Sequence, residues 1–562
     1  MKRMKKTIIE NIDEAISRFP DKNALTWLNE KPISYKELGE RYREIANILK
    51  NQGIRHSDKV AILSENSPNW AISYIAIVSL GAVVVPILTE FHENEIHHIL
   101  RHSEAKAIFV SNKLFPKFET MFGAEKDIIA INIDHFTIIT PPSTLDKLKV
   151  KLLDRRDQVI DKTGILGEIV GWKHKQTVEE DLAVIIYTSG TTGQSKGVML
   201  THKNLITNIK ACYSLQPMDE NDKLISILPL PHTYESTLGF LYPLMFNCEI
   251  TYLKRPPTAS VLLPALAKVR PTIMLTVPLI MEKIFKNKIY ATLTSKPILR
   301  FFYSIPMIRV LLHNAAGKKL YKTFGGRLKF YGIGGAKVAA DVEKFLQDCN
   351  FPYSIGYGLT ETSPLIAGTS PAKTKYRSTG PVVYNLLYKL INQNPETGEG
   401  EVVVKGDSVM KGYYKDEKAT KDAFTEDGYF RTGDLAVLRK GFLFIKGRLK
   451  NVIIGSSGEN IFPEEIESII NENEYVVESL VLQQDSKLVA QIHLDYDYID
   501  KMHSTKNSTE AKLKKEIDQI LLNLKVEVNS KVSGFSKIFK CNEQTVPFEK
   551  TPTMKIKRYL YN

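Results

Sequence analysis

The densest run of chemically useful side chains is YTSGTTGQSKGVML, Tyr187 to Leu200. Its first eleven positions hold three glycines, five Ser or Thr hydroxyls and one lysine. Glycine permits the dihedrals that turn successive backbone N–H groups toward one anion, and the hydroxyls supply further donors. Lys196 adds a cation, so the ligand such a turn suits is a polyphosphate. A Walker A loop needs Gly-Lys-Ser/Thr, whereas the order here is Ser195-Lys196-Gly197, which removes the metal-binding hydroxyl from its place. The competing reading is a plain Gly/Ser/Thr surface turn.

An element must hold that turn in place, and the sequence supplies one. LAVIIYT (182–188) is an apolar, β-branched run that ends where the turn begins. Similar runs recur as KVAIL (59–63), AVVVPI (82–87), AKAIFV (105–110), KLISILP (223–229) and PTIMLTV (271–277), separated by segments of helical spacing such as 92–103 and 203–214. Buried strands alternating with helices predict parallel α/β sheets. Asn69 to Leu88 is nearly long enough to span a bilayer, but Gly81 and Pro86 divide it, so a buried helix followed by a core strand is expected. Past residue 395 the pattern becomes glycine-punctuated and alternating (GEGEVVVKGDSVMKGYY, GYFRTGDLAVLRKGFLFIKGR), which suits antiparallel hairpins or a small barrel. From Lys450 a short mixed segment follows, with a helix near 463–472, strands near 476–484 and 488–494, and a polar helix over 508–529. The expected fold is therefore α/β: a large domain (1–449) of layered, mostly parallel sheets with a β-barrel-like subdomain, then a small mobile α+β domain (450–562).

With 562 residues the chain exceeds one core. Its 43% hydrophobic and 25% charged residues are ordinary for a globular protein. A net charge of +13 favours anionic partners without choosing among nucleic acid, acidic lipid and polyphosphate. Cys212, Cys248, Cys349 and Cys541 are far apart and lack metal-ligand spacing, which argues against a disulfide framework or a zinc site. Met1 to Glu10 lacks the apolar core of a signal peptide. A cytoplasmic location follows as the expectation. Peripheral membrane contact is added to it, because ILRFFYSIPMIRVLLHNAAGKKLYK (298–322) mixes aromatic, apolar and cationic residues.

Four more strings complete the chemistry: YGLTETSP (357–364), YFRTGDL (429–435), GRLKNVI (447–453) and TPTMKIKR (551–558). With the hydroxyl-rich turn, and in this order, they resemble the acyl-adenylate-forming enzymes, over nearly the whole chain. The likeness is strongest to long-chain fatty acid–CoA ligases, through SSGENIFPEEIE (456–467) and the C-terminal string. That resemblance implies a carboxylate attacking the α-phosphorus of ATP, followed by transfer of the acyl group to coenzyme A. An anion then approaches an anion, so catalysis rests on charge neutralisation and positioning.

The resemblance also assigns roles. Thr188, Ser189, Gly190, Thr191, Thr192, Gly193 and Lys196 would hold the triphosphate. Glu361 would bind Mg2+, a hard cation suited to a carboxylate and phosphates, and Thr360 the α-phosphate. Gly334, Gly335 and Ala336 would line the adenine, with Tyr357 and Gly358 beside it. Asp434 and Arg448 would meet the ribose. Lys555 would stabilise the adenylation transition state; Lys557 and Arg558 are its neighbouring alternatives. The family's commoner Ser-Gly-Lys is here Thr553-Met554-Lys555. His232, in LPLPHTYE (228–235) with Tyr234, would sit where carboxylate and acyl tail join. Lys450 aligns with a hinge, and Gly458 with the coenzyme A tunnel. Rival readings are an acyl carrier protein as acceptor, a regulator that binds adenylate without catalysis and, last, a nucleic-acid-binding protein, for which no recognition motif is present. Oligomeric state is not legible.

Overall fold

A computed structural model describes residues 4–124, 128–139, 176–188, 195–455, 459–485, 487–503, 510–551 and 555–561. Among these, two large sheets carry the fold. The eight-stranded sheet has Val83–Pro86, Lys59–Leu63, Ala105–Val110 and Ile129–Asn132 in parallel, and Leu182–Thr188 joins them parallel to Val83–Pro86. Lys196–Thr201 then turns back antiparallel, so the hydroxyl-rich segment is the connection of a hairpin at the sheet's end. The seven-stranded sheet runs Tyr353–Ile355, Phe330–Ile333, Ile273–Thr276, Lys223–Ser226, Glu249–Tyr252 and Asn23–Trp27, all parallel, with antiparallel Ile33–Ser34 at its edge.

One apolar core joins the sheets. It contains Val60, Ile62 and Val84 from one and Leu25, Ile225 and Ile250 from the other; Ala61, Leu63, Val83 and Val85 face a second core on the far side of their sheet. The helix Pro68–Ser79 lies in the shared layer. Ser67 caps it by accepting from the Trp70 N–H, Pro68 occupies its first turn, and apolar residues on every side leave it no solvent face. The segment 69–88 is thus spent on protein packing, and no helix among the described residues is long and apolar enough to cross a membrane.

Two strands stop earlier than their sequences suggest. Lys223–Ser226 ends because Asn66 intercepts the chain beyond it, donating to the Leu228 carbonyl at 2.6 Å and accepting from the Leu230 N–H at 2.9 Å. Ile273–Thr276 ends because Pro278 opens the next helix, with Val277 as its cap.

Beyond Leu387 the strands Leu387–Ile391, Gly400–Lys405, Phe430–Arg439 and Phe442–Arg448 form a four-stranded antiparallel sheet, as the alternating pattern predicts. Further along, Val476–Gln484, Lys487–Leu494 and Lys540–Glu543 make a three-stranded sheet under the helices Pro463–Ile470 and Glu510–Lys531. Ile461, Ile466, Ile470, Val481, Ile492, Ile520, Leu524 and Ile538 build a core that belongs to this part of the chain alone.

Candidate active site

The hairpin register places Thr188 opposite Lys196, so the two described ends of the hydroxyl-rich turn stand side by side. Ser189, Gly190, Thr191, Thr192 and Gly193 lie outside the described residues. The Lys196 ammonium sits 5.0 Å from the centre of the Tyr413 ring, and the Tyr413 hydroxyl donates to Glu361 Oε1 at 3.0 Å. Tyr413 therefore connects the phosphate-type turn to the YGLTE string. Sequence reasoning missed it. Its only sign was an aromatic after Gly412 in a short strand, Gly412–Tyr413, that pairs with Val198 and Met199.

Glu361 lies in the single 3-10 turn Thr360–Thr362, pinned at several points. Its carbonyl accepts from the Met410 N–H at 2.8 Å, and Asn208 donates to the carbonyls of Thr362 and Leu365. Gly358 has to be glycine, because a Cβ there would stand 1.9 Å from the Pro364 carbonyl oxygen. The turn is rigid for a reason visible in its contacts: it presents one carboxylate at a fixed place.

Asp434 and Arg448 are register partners across the antiparallel hairpin, and the Arg448 Nε–H donates to Asp434 Oδ1 at 2.8 Å. The Tyr357 hydroxyl donates to Oδ2 at 2.6 Å. Burial pushes the carboxyl upward in pKa, opposed first by Arg448 and then by Tyr357. A carboxylate has about four acceptor positions, so both oxygens retain capacity for a diol. Removing the tyrosine hydroxyl by Tyr357→Phe should leave Asp434 less firmly oriented. The expected result is a KM for ATP raised about fivefold with kcat within twofold, measured by pyrophosphate exchange, since one hydrogen bond to a charged group contributes about 1.5 kcal/mol or less once water can replace it.

Gly334 follows the strand Phe330–Ile333 and is buried against Tyr234, whose Cε1 would lie 3.1 Å from a Cβ. Gly335 takes φ +89°, which glycine adopts freely, and it and Ala336 are exposed just past the strand end. Tyr234 thereby joins the adenine-type segment to the loop carrying His232. His232 Nδ1 accepts from the Tyr234 N–H at 3.2 Å, and its pKa is pulled to about 4, mainly by burial and further by Lys555. The ring is neutral near pH 7 with its proton on Nε2, which makes it a donor and not a base.

Next in the chain, Glu235 is buried in the π-helical segment Glu235–Leu241, also unforeseen. Ser226 Oγ donates to it at 2.6 Å, and Gly239 leaves room where a Cβ would stand 2.7 Å from the carboxyl carbon. Burial raises its pKa to about 8. Between the ordinary value of 4.5 and about 8 the native state binds more protons than the unfolded one, so stability contributed here falls as pH rises through that window. Glu235→Gln should remove this slope: thermal melts at about pH 5.5 and about pH 8, both within that window, should differ less in the variant than in the unsubstituted protein.

Lys555 comes to the cleft from the far end of the chain. Thr551 N–H donates to its carbonyl at 2.7 Å and its own N–H donates to Thr551 Oγ1 at 3.2 Å, closing the neck of a turn. The flanks are held by Arg558 on Glu467 and by Lys550 on Glu478 at 2.5 Å. Lys555 remains accessible to solvent, yet its charge interacts with Arg448, Asp434 and Glu361 as well as His232. The neighbouring cations point elsewhere: Lys557 pairs with Glu549 at 3.8 Å and Arg558 with Glu467. Lys450 is exposed in the 3-10 turn Leu449–Asn451, and Gly458 lies outside the described residues.

No cluster of three or more His, Cys, Asp or Glu capable of holding a metal occurs among the described residues. Glu361 alone is suited to a magnesium ion that takes most of its other ligands from phosphates and water.

Lys196 from the hairpin of the eight-stranded sheet, Glu361 from its pinned turn, Asp434 from the antiparallel hairpin and Lys555 from the C-terminal part meet at one cleft, a set of groups suited to a nucleotide. The chain belongs to the AMP-binding enzyme family, which it matches over residues 12–414. It is 29% identical over 590 aligned residues to fatty acyl-CoA synthetase A of Dictyostelium discoideum, covering 94% of this chain and 84% of that protein. It is 26% identical over 527 residues to a chloroplastic long-chain-fatty-acid–[acyl-carrier-protein] ligase of Arabidopsis thaliana, covering 82% and 72%. Among solved structures, o-succinylbenzoate coenzyme A synthetase from Bacillus subtilis, in complex with ATP and magnesium ion, superposes with a TM-score of 0.72 at 20% identity, over 98% of each chain.

Proposed function

We propose that the protein activates a medium- to long-chain fatty acid with ATP and then passes the acyl group to coenzyme A. The observation that carries this reading is the convergence on one cleft of Lys555, Glu361, Asp434, Arg448 and His232 from distant parts of the chain. In the first half-reaction a carboxylate oxygen bonds to the α-phosphorus and pyrophosphate leaves. Asp434 and Arg448 hold the ribose, Lys196 and the hydroxyl-rich turn the triphosphate, and Gly334–Ala336 with Tyr357 the base. His232 donates from Nε2 to orient the acid, and Lys555 offsets charge growing between carboxylate and phosphate. Magnesium, held by Glu361 and the phosphates, would supply further charge neutralisation. In the second half-reaction the thiol sulfur bonds to the acyl carbon and AMP leaves.

This reading divides the chain into domains 1–449 and 450–562, the second turning about Lys450 to bring Gly458 to the thiol. The fatty acyl-CoA synthetase of Dictyostelium and the long-chain ligase of Arabidopsis support the acid class, and magnesium with ATP in a structural neighbour supports the cosubstrates. Transfer to an acyl carrier protein is the second reading, favoured by the Arabidopsis relative. The test is thioester formation from a series of acids, acetate to arachidate, with either acceptor. Activity with long acids and coenzyme A supports the proposal; activity confined to the carrier protein selects the second reading; activity confined to acetate overturns the acid class. Peripheral membrane contact belongs to the same reading, because long acids partition into bilayers.

A further inference from the structure

The segment 283–340 is unusual in charge and in burial. Between Glu282 and Asp341 there is no acidic residue, while twelve Lys and Arg occur. Within it, the helix Pro297–Ser304 (PILRFFYS) has no buried residue at all, although half its side chains are large and apolar: Ile298 is 69% exposed and Phe301 64%. The following helix, Pro306–Thr323, buries only His313, Gly317 and Leu320. Its anchoring is local. His313 bonds Asp348 at 2.9 Å and Tyr303 at 2.9 Å, and Gly317 rests on Cys349 so closely that a Cβ would stand 2.3 Å from the Cys349 Cβ. The opposite face is left without a protein partner among the described residues.

That face is ordered along its length. Met307, 81% exposed, Leu311, 69% exposed, Ala315, Lys318 and Lys322 follow one another at i+4 or i+3 spacing, so they form one stripe, apolar at its N-terminal end and cationic at the other. Beside it an open hollow of about 440 Å³ is lined by Lys296, Arg300 and Phe301. A contiguous exposed apolar patch marks an interaction surface, and every charge the two helices themselves carry is cationic. A bilayer with anionic headgroups answers both halves of the pattern, since apolar side chains enter the acyl boundary while lysines stay at phosphate level.

We propose that these two helices dock the protein on an anionic phospholipid surface. The proposal deepens the reading above by naming where a fatty-acid ligase meets the membrane that holds its substrate, and it rests on that reading for its purpose only.

The test is vesicle flotation of the full-length protein without substrates, using phosphatidylcholine vesicles and vesicles of an equal mixture of phosphatidylcholine and phosphatidylglycerol. At least tenfold more protein should float with the mixed vesicles, and added salt should reduce the difference. The double variant Phe301→Asp, Leu311→Asp should lose about tenfold of that binding, while its pyrophosphate exchange with octanoate stays unchanged, because both side chains are exposed and neither belongs to the proposed cleft. Equal flotation of variant and unsubstituted protein, or no preference for the anionic vesicles, overturns the proposal. So does a dimer in sedimentation that the double variant dissociates, because a second copy would then cover the face. Flotation is independent of turnover: binding without any ligase activity retains the docking surface and removes the proposed function, and activity without binding does the reverse.

Discussion

Replacing Lys555 by alanine is expected to slow acyl-adenylate formation between about a hundredfold and a thousandfold, while transfer from preformed acyl-AMP stays within about threefold. The first half-reaction drives a carboxylate against a triphosphate. Removing one preorganised donor from such a site costs roughly 3–4 kcal/mol of transition-state stabilisation. Its charge interacts with those of Glu361 and Asp434, the carboxylates proposed to meet magnesium and ribose, from a segment closed by Thr551. The residue keeps access to solvent at the cleft, so thermal stability should change little. A pH signature separates this role from a structural one. Lys555 is held below the ordinary lysine value of 10.5, chiefly by loss of hydration in the cleft and then by Arg448, against the pull of Asp434 and Glu361. The ammonium is the active form, so the alkaline limb of kcat/KM for adenylation should begin below pH 10.5 and vanish in the variant. In kcat the limb should move upward, because bound triphosphate favours the charged lysine. Equal loss in both half-reactions would remove Lys555 from the adenylation step.

What could be read from the sequence was what is local. Strands such as Ala105–Val110 and Leu182–Thr188 were legible to the residue because apolar runs bounded by polar ones are dictated by burial on both faces. The strings around Glu361, Asp434 and Lys555 were legible as strings. Their meeting was not, because 120 residues separate Asp434 from Lys555 as counted by chain position, and periodicity carries no information across that distance. Tyr413 illustrates the loss: an aromatic in a two-residue strand looks like packing until its hydroxyl is found on Glu361. Nothing in the string LPLPHTYE marks Glu235 as buried, and the space left by Gly239 explains how a carboxyl fits inside. The resemblance singles out Lys555 and leaves Lys557 and Arg558 as alternatives in register. The ion pairs of the latter two with Glu549 and Glu467 separate them.

A further contact of this kind predicts that Lys286→Met slows adenylation about tenfold to thirtyfold and spares, or accelerates, acyl transfer. Lys286 extends from the π-helical segment Phe285–Tyr290 to the end of the helix Pro463–Ile470, which belongs to the separate C-terminal core. Its ammonium donates to the carbonyl of Asn471, to that of Asn473 at 3.0 Å and to that of Val476 at 3.4 Å. Carbonyls at a helix C-terminus lack intrahelical donors and carry the negative end of its dipole, so a cation there satisfies groups that otherwise need water. Burial draws the Lys286 pKa down, with Asp341 the first of the acids that oppose it. Lys337 adds an ion pair to Glu465 of the same helix at 3.2 Å. These contacts exist in the orientation that also brings Lys555 to the cleft, so under the proposed mechanism they would favour adenylation over an arrangement in which the C-terminal part has turned. Methionine keeps the aliphatic stem and removes the donors, and charged hydrogen bonds contribute about 1.5–3 kcal/mol, of which water recovers part when the contact opens. The resulting shift of orientation should fall on pyrophosphate exchange and not on single-turnover transfer from acyl-AMP. A parallel fall in both rates would mean that Lys286 serves stability only, and an unchanged exchange rate would mean that the orientation is fixed by other contacts.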